Sequence, residues 1–158
     1  MKLGILTISD SVPIGKRIDA SGPKIQEILG PFFHSTEYRI CNDDINEILT
    51  YVKQLLEETS LVVSNGGTGL MDRDNTVEAL SQMEGVRLKP LERAISAAMI
   101  LACGPMAAIA TPTVLKINSK FIVALPGKTD EVEAALEQVL KPFFLAHLIF
   151  RNDDHLKV

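Results

Sequence analysis

The sequence predicts an α/β domain of three layers, in which a mostly parallel sheet lies between helices. Short strands rich in Ile, Leu and Val alternate with amphipathic helices along the chain, a pattern typical of a parallel sheet covered on both faces. The 158 residues are 46% hydrophobic and 23% charged, an ordinary balance for a globular domain. No repeat or linker interrupts the pattern. We therefore expect a single domain over residues 1–150 and a polar tail over 151–158.

The chain begins with a nearly continuous apolar run at Lys2–Ser9, which predicts a buried central strand. A polar loop over Asp10–Ala20 follows. Ser21–Leu29 is predicted to be a helix, because Pro23 is tolerated in a first turn. Thr36–Ile40 is predicted to be a weaker strand.

The next helix has the clearest periodic pattern. Its apolar residues recur at helical spacing and are Ile45, Ile48, Leu49, Val52, Leu55 and Leu56. Asp44 is followed three residues later by Glu47, as in a capping box, which predicts where this helix begins. Leu61–Ser64 is a short apolar strand that leads directly into a glycine-rich loop.

The second half is predicted to contain two helices, two strands and a final helix. They lie near Thr76, over Leu91–Leu101, at Ala107–Ala110 and Lys120–Leu125, and from Asp130 onwards. Glu133 would complete a capping pattern for the final helix. The buried stripe of that helix consists of Val132, Ala135, Leu136, Val139 and Leu140. Pro142 is expected to kink or end it.

Charge and hydrophobicity exclude some classes of partner. A net charge of −4 argues against broad binding to nucleic acid or a membrane surface, because both require a basic face. The apolar run Ala94–Ala110 is shorter than the about 20 residues that a membrane span needs, and Gly104-Pro105 interrupts it. This run is better explained by buried elements. Its apolar excess also predicts a homo-oligomer.

The cysteines indicate a reducing compartment. Cys41 and Cys103 lie far apart without a Cys-x-x-Cys motif, which argues against a disulfide scaffold or zinc site. Both are expected to be small buried apolar side chains. The N-terminal apolar stretch is too short for a signal peptide, so we expect a cytoplasmic protein.

Four loops are expected to form the functional site. Ligands of open α/β sheets bind outside the carboxyl ends of the strands. Asp10–Ala20, Asn65–Asn75 and Pro126–Thr129 leave such ends, and Asn42–Asp44 lies between a strand and a helix. The unusual residues of the sequence concentrate in these loops.

The segment Gly66-Gly67-Thr68-Gly69 is either a tight turn that needs glycines for its geometry or an anion site. Glycines let the backbone approach an anion closely, and successive N–H groups can then cradle phosphate oxygens. Three glycines after an apolar strand, followed by Asp72-Arg73-Asp74, favour the anion site.

Spacing rejects two familiar phosphate motifs. Gly127-Lys128-Thr129 resembles the end of a Walker A loop, but the glycine required five residues earlier is Ile122. Gly67-x-Gly69 could open a dinucleotide fingerprint, but Asp72 occupies the third glycine position, where its charge would face the pyrophosphate.

Two aspartates are candidate metal ligands. Asp43 precedes one helix and Asp74 lies beside the glycine-rich loop. Helix capping is the alternative explanation for them, and also for Asp44 and Asp72. If Asp43 and Asp74 meet across a cleft, they can hold Mg²⁺, which is typically bound by one or two carboxylates and substrate phosphates.

The loop after the first strand offers further polar groups. Ser9 and Asp10 lie at the strand end, where they can hydrogen-bond a ligand. Asp10 and Asp19 flank Gly15-Lys16-Arg17. This segment is either a solvated loop or a clamp in which Lys16 or Arg17 meets a phosphate.

Together these loops resemble the MoaB/Mog family, which includes the molybdopterin adenylyltransferases. The most specific matching element is the glycine-rich loop with Arg73-Asp74 and Thr76. The other matching residues run through almost the whole domain in the family's order: Ile8-Ser9-Asp10, Gly15, Asp19, Ser21-Gly22, Asp43 and Leu125-Pro126-Gly127.

The resemblance implies a molybdopterin-binding-like fold and a nucleotidyltransferase of molybdenum cofactor biosynthesis. Such an enzyme joins AMP from ATP to the terminal phosphate of molybdopterin, releases pyrophosphate and requires Mg²⁺. The resemblance assigns catalysis and the metal to Asp43 and Asp74. It assigns substrate binding to Ser9, Asp10, Gly66, Gly67, Thr68, Gly69, Arg73, Pro126 and Gly127. It also implies a homotrimer or hexamer.

The sequence departs from the family pattern at four places. Val77 replaces a proline, and Glu84–Pro90 replaces a Gly-Phe-Gly-Glu segment. A serine and an arginine are replaced around Ala110-Thr111-Pro112, and Pro126–Thr129 lacks its second proline. The alternative function is therefore a non-catalytic domain that binds or stores molybdopterin. A third is a relative that acts on another nucleotide.

Overall fold

The structure, a computed structural model, describes residues 1–153, with side chains as far as His147. Its sheet has six strands in the order β2-β1-β3-β6-β5-β4. The strands are β1 (Lys2–Ile8), β2 (Ser35–Cys41), β3 (Leu61–Asn65), β4 (Val86–Arg87), β5 (Thr113–Ile117) and β6 (Lys120–Leu125). The helices are α1 (Ser21–Leu29), α2 (Ile45–Glu58), α3 (Thr76–Ser81), α4 (Lys89–Cys103), α5 (Thr129–Ala135) and α6 (Lys141–Asp153).

The sheet is mostly parallel, as predicted. β1 pairs in parallel with β2 and β3, and β3 pairs in parallel with β6. β5 runs antiparallel to both β6 and β4, so it alone is reversed among the described strands. The carboxyl ends of β1, β2, β3 and β6 therefore lie along one edge.

Helices cover both faces, which confirms the three layers. On one face α1, α4, α5 and α6 pack against the sheet through side chains such as Ile25, Ile95 and Val132. On the other face α2 and α3 do so through residues such as Ile48 and Leu80. These five side chains are almost completely buried, and each contributes about 1.5–3 kcal/mol of transfer free energy.

The strand predicted at Ala107–Ala110 is wrong. Those residues lie mostly in a 3-10 helix, Pro105–Ile109, and the strand is β5, which begins at Thr113. β5 and β6 form a hairpin through Asn118 and Ser119. Asn118 has a φ of 55°, which asparagine tolerates in tight hairpin turns. The Asn-Ser pair between two apolar runs was the overlooked signal.

Two helix starts differ in their capping. The Asp44 carboxylate accepts hydrogen bonds from the N–H groups of Asn46 and Glu47, as predicted. The capping pattern predicted from Asp130 and Glu133 is wrong, because α5 has no side-chain cap.

Pro142 does not end the last helix. A π-helical segment, Leu136–Leu140, joins α5 to α6, and this wider turn lies just before the residue that lacks an N–H donor. α6 continues to Asp153, past the predicted start of the tail at residue 151. Residues 154–158 of that predicted tail lie outside the described part.

Both cysteines are free. Cys41 is buried, and burial raises the pKa of its thiol to about 12. Cys103 is only partly buried, contrary to expectation, because it lies at the end of α4. Within residues 1–153, no helix is long and apolar enough to cross a membrane.

Candidate active site

A cleft of about 470 Å³ opens at the sheet edge where the parallel strands end. Loops that follow β1, β2, β3 and β6 line it. All the predicted site residues are among the lining residues: Ser9, Asp10, Asp43, Gly66, Gly67, Thr68, Gly69, Arg73, Asp74, Pro126 and Gly127. Residues that are distant in sequence thus share one cavity.

The glycine-rich loop is held in a fixed conformation. Gly66 and Gly67 have φ values of 99° and 66°, which side-chain-bearing residues rarely adopt. The Gly66 N–H donates to the Leu125 carbonyl (3.0 Å). The Thr76 hydroxyl donates to the Gly66 carbonyl (2.9 Å). These bonds tie the loop to β6 and α3.

The fixed loop leaves hydrogen-bond donors unused. The N–H groups of Gly67, Thr68 and Gly69 donate to no other group of the described chain. The Thr68 hydroxyl is buried and also has no partner within residues 1–153. Buried polar groups normally have partners, so these donors favour a bound anion.

Asp43 is tied to the loop after β3. One carboxylate oxygen accepts from the Asn75 N–H (2.9 Å), and the Asn75 amide donates to the Asp43 carbonyl (2.8 Å). The other oxygen lies beside Gly67, where a Cβ would be only 2.8 Å away. Glycine at position 67 therefore makes room for this carboxylate.

The surroundings of Asp43 oppose its negative charge. Burial raises the pKa of Asp43, the Asn75 hydrogen bond partly offsets this, and the charges of Asp74 and Asp10 raise the pKa further. A cation bound near these carboxylates would relieve the repulsion between them.

Asp74 and Asp10 are anchored in the same way. Asp74 accepts from the Met71 N–H (2.8 Å), and a Cβ on Gly69 would lie 2.6 Å from that oxygen. Asp10 accepts from the Asp43 N–H (2.9 Å). Neither Asp72 nor Asp74 caps α3: the residue at the capping position is Asn75, whose side chain makes no cap, and the Asp74 carboxylate accepts from Met71 instead.

The three carboxylates fit Mg²⁺ only together with a ligand. Each uses one oxygen for a backbone N–H and keeps the other free of hydrogen bonds from the described chain. In that part of the chain, no group of three His, Cys, Asp or Glu residues is arranged to hold a metal ion. Substrate phosphates would have to complete the coordination, as is usual for Mg²⁺.

Asp19 organises the first loop. Its carboxylate accepts from the Thr7 hydroxyl (2.7 Å), the Tyr38 hydroxyl and the N–H groups of Ser21 and Gly22 (3.1 and 3.0 Å). Burial and the bond to Asp19 raise the pKa of Tyr38 to about 12, so the hydroxyl stays a donor. Asp19 therefore fixes the start of α1.

This hydrogen-bond network extends to β3 and was largely missed from the sequence. The Asn65 amide donates to the Thr7 hydroxyl (2.9 Å). Thr7 and Asn65 are buried polar residues within apolar strands, which was the available signal. Of the two proposed clamp residues, Arg17 lines the cleft and Lys16 does not.

Two further residues beside the loop after β6 were given no role in the site from the sequence. The Ser21 hydroxyl donates to the Gly127 carbonyl (2.9 Å), which joins this loop to α1. Glu131 lines the cleft with only 4% of its surface exposed. Its carboxylate lies 3.6 Å from the Lys128 ammonium group.

Comparison with known proteins agrees with this architecture. Residues 4–146 match the family model described as a probable molybdopterin binding domain. The molybdenum cofactor biosynthesis protein B of Staphylococcus aureus (strain COL) is 31% identical over 156 residues, covering 94% of this chain and 90% of the relative. The molybdopterin adenylyltransferase of Pyrococcus furiosus is 29% identical over 154 residues, with coverage of 90% and 87%.

A solved structure shows the same fold. The tungsten cofactor synthesizing protein MoaB from Pyrococcus furiosus superimposes with a TM-score of 0.78 at 26% identity. The match covers 98% of this chain and 95% of that one. The chain therefore belongs to the MoaB/Mog family of molybdenum cofactor biosynthesis proteins, within the probable molybdopterin-binding domains.

Proposed function

We propose that this protein is a molybdopterin adenylyltransferase, which transfers AMP from ATP to the terminal phosphate of molybdopterin in a Mg²⁺-dependent reaction. The observation that carries the proposal is the position of Asp43 and Asp74 in one cleft, each packed against a glycine of the glycine-rich loop. In this loop the N–H groups of Gly67, Thr68 and Gly69 have no acceptor within the described chain. A relative of this family is itself named a molybdopterin adenylyltransferase.

The reaction requires alignment and charge neutralisation more than a protein nucleophile. A terminal phosphate oxygen of molybdopterin attacks the α-phosphorus of ATP, and the bond from that phosphorus to the pyrophosphate oxygen breaks. Mg²⁺, held by Asp43 and Asp74 with the ATP phosphates, would neutralise their charge.

The chain's own donors would hold the phosphates in line. The N–H groups of Gly67, Thr68 and Gly69 and the Thr68 hydroxyl would bind phosphate oxygens. Arg73 lines the same cleft and would add a positive charge. Ser9, Asp10, Pro126 and Gly127 would form the remaining walls of the binding site.

The positions of the departures from the family pattern favour catalysis over mere storage. Neither Val77 nor any residue of Glu84–Pro90 is among the residues that line the cleft. Ala110, Lys128 and Thr129 do line it. Lys128 and Thr129 lie between β6 and the first turn of α5, whereas Ala110 precedes Thr111, whose N–H donates to the Thr68 carbonyl of the glycine-rich loop (2.9 Å). Asp43, Asp74 and the glycine-rich loop itself are those of the family.

Pyrophosphate release from Mg·ATP, measured with and without molybdopterin, tests the proposal. We expect release only when ATP, Mg²⁺ and molybdopterin are all present. Tight molybdopterin binding without release would establish the storage domain instead. Release with GTP or CTP but not with ATP would identify a relative that acts on another nucleotide.

We further propose that the protein works in the cytoplasm as a homotrimer or hexamer. The observation that supports the oligomer is an exposed apolar surface on α4 and the following 3-10 helix. Leu101, Met106 and Ile109 are 88%, 63% and 40% exposed there. A second copy would bury these side chains from water.

A further inference from the structure

The cleft has two chemically different ends. Asp10, Asp43 and Asp74 lie in the loops after β1, β2 and β3. The other end is formed by the loop after β6, which includes Lys128, and by Glu131 in the first turn of α5. β2 and β6 are three strands apart in the sheet order, or roughly 14 Å at the usual strand spacing. One extended ligand can therefore contact both ends.

Glu131 gives the second end a buried charge that the proposed reaction does not use. Only 4% of its surface is exposed, and buried carboxylates are costly unless they are paired. Its only ion pair within the described chain is with Lys128, at 3.6 Å, and the Lys128 side chain is 65% exposed. Burial raises the pKa of Glu131, and the positive charge of Lys128 partly offsets this.

We propose that Glu131 and Lys128 bind the 2-amino-4-oxopyrimidine edge of a heterocyclic ligand, which, if the proposed function holds, is the pterin of molybdopterin. This edge presents two neighbouring donors, the 2-amino group and N3–H, followed by the 4-oxo acceptor. A carboxylate accepts from both donors, and an ammonium group beside it donates to the oxo group.

The same pair of charges disfavours other parts of the substrates at this end. A phosphate group would be repelled by the buried Glu131 carboxylate. The adenine edge places the N1 acceptor beside its amino group, so N1 would face a carboxylate oxygen. This selectivity directs the pterin towards Glu131 and the ATP phosphates towards the glycine-rich loop.

A pair of matched ligands tests the inference. 6-Hydroxymethylpterin monophosphate and the corresponding lumazine differ at position 2, where the lumazine has an oxo group instead of the amino group, and at the neighbouring N1, which carries a proton in the lumazine. Titration calorimetry on the wild-type protein should show at least about tenfold tighter binding of the pterin, the scale of a lost hydrogen bond to a charged group. Glu131→Gln should reduce this preference to about twofold or less.

The control is Glu133→Gln, which removes an exposed carboxylate two residues further along the same helix and should keep the full preference. Lys128→Met should weaken both ligands severalfold, because both carry the 4-oxo group. Lumazine binding also reports whether each variant retains a folded cleft.

Equal binding of pterin and lumazine by the wild type, or an undiminished preference in Glu131→Gln, would overturn the inference. Adenylyl transfer by the same wild-type protein would then leave the proposed function standing. Guanine carries the same edge, so GMP and IMP, which lacks the 2-amino group, form a second pair. If the protein prefers GMP to IMP, loses this preference in Glu131→Gln and does not bind the pterin, Glu131 recognises the edge but the ligand is not a pterin. That result would overturn the assignment of the pterin to this end. Binding of none of these probes would overturn the inference.

Discussion

Replacing Asp43 or Asp74 by asparagine removes one negative charge from the proposed metal-binding end while keeping the shape of the side chain. The bond that Asp43 accepts from the Asn75 N–H and the bond that Asp74 accepts from the Met71 N–H can both be kept by an amide oxygen. The fold should therefore survive each substitution. Pterin affinity should survive as well, because the metal is proposed to serve the ATP phosphates.

The expected loss of activity follows from the charge removed. Two unit charges about 4 Å apart interact by about 4 kcal/mol at an effective dielectric constant of about 20. Asp43 and Asp74 are only half-buried, so screening by water reduces this interaction. Adenylyl transfer should still fall at least about a hundredfold in each variant, the scale on which single electrostatic contributions to a transition state are lost. The double variant should be little worse, because residues that act as a unit are not additive.

The stability of Asp43→Asn should rise, whereas its activity falls. The pKa of Asp43 is raised above its ordinary value of 3.8 by burial and by the charges of Asp74 and Asp10. The ionised carboxylate therefore destabilises the metal-free fold, and this penalty grows as the pH rises above about 4. Asp43→Asn should be as stable as the wild type at acidic pH and more stable near neutrality.

Initial rates of pyrophosphate release, thermal melting between acidic and neutral pH, and pterin titration together test this reasoning. Near wild-type turnover in both single variants would refute the shared-metal mechanism. A neutral-pH melting temperature of Asp43→Asn below that of the wild type would refute the view that the three carboxylates repel one another.

Three further predictions concern the loop, the surface and the core. Gly69→Ala places a Cβ 2.6 Å from an Asp74 oxygen and does not require a positive φ. Turnover should therefore fall at least about tenfold, because Asp74 is displaced. Pterin affinity, measured by titration, should stay within about twofold. Leu101→Glu should convert the oligomer to monomers in sedimentation, because it places a charge on the proposed interface. The control Val86→Glu should not, because Val86 is 65% exposed and lies outside this interface. A monomeric wild type would exclude the interface. Arg87→Met removes both hydrogen bonds of 2.9 Å to the buried Glu92 carboxylate. The free energy of unfolding, measured in urea, should therefore fall by about 1–3 kcal/mol. Turnover should be unchanged, because neither residue lines the cleft.

The sequence was most informative where local and tertiary preferences agree. The strand β1 and the helix α2 were predicted almost to their ends, because an unbroken apolar run and a 3.6-residue period leave few alternatives. The segment Ala107–Ala110 was mistaken for a strand because periodicity is uninformative over four apolar residues. Its conformation depends on the preceding Gly104, which has a φ of 95°, and Pro105.

The candidate site was predictable in its residues but not in its contacts. Loops at the carboxyl ends of parallel strands must meet, and this topological rule placed Asp43 and Asp74 in one cleft. No local pattern could show that Asp19 accepts from Tyr38, which is 19 residues away, or that Thr7 and Asn65 pair across strands. Glu131 escaped notice because an acidic residue in a first helical turn is ordinary on a surface, and only the fold shows that this one is buried.

The burial of Glu131 indicates that departures from the family pattern near it affect which ligand the cleft binds. A buried carboxylate is retained at a cost, so a cleft that has one should bind something that compensates for it. Of the altered residues at the cleft, Lys128 and Thr129 lie three and two positions before Glu131 in sequence, and Ala110 belongs to a separate segment. The proposed reacting end, by contrast, has Asp43, Asp74 and the glycine-rich loop, whose N–H groups at Gly67, Thr68 and Gly69 have no acceptor in the described chain and suit phosphate groups of any nucleotide. If chemistry resides at one end and recognition of the heterocycle at the other, substitutions at Glu131 should change which ligand binds far more than how fast a bound ligand reacts. A fall in turnover at saturating substrate in Glu131→Gln, with unchanged ligand preference, would show that the two ends are not separate.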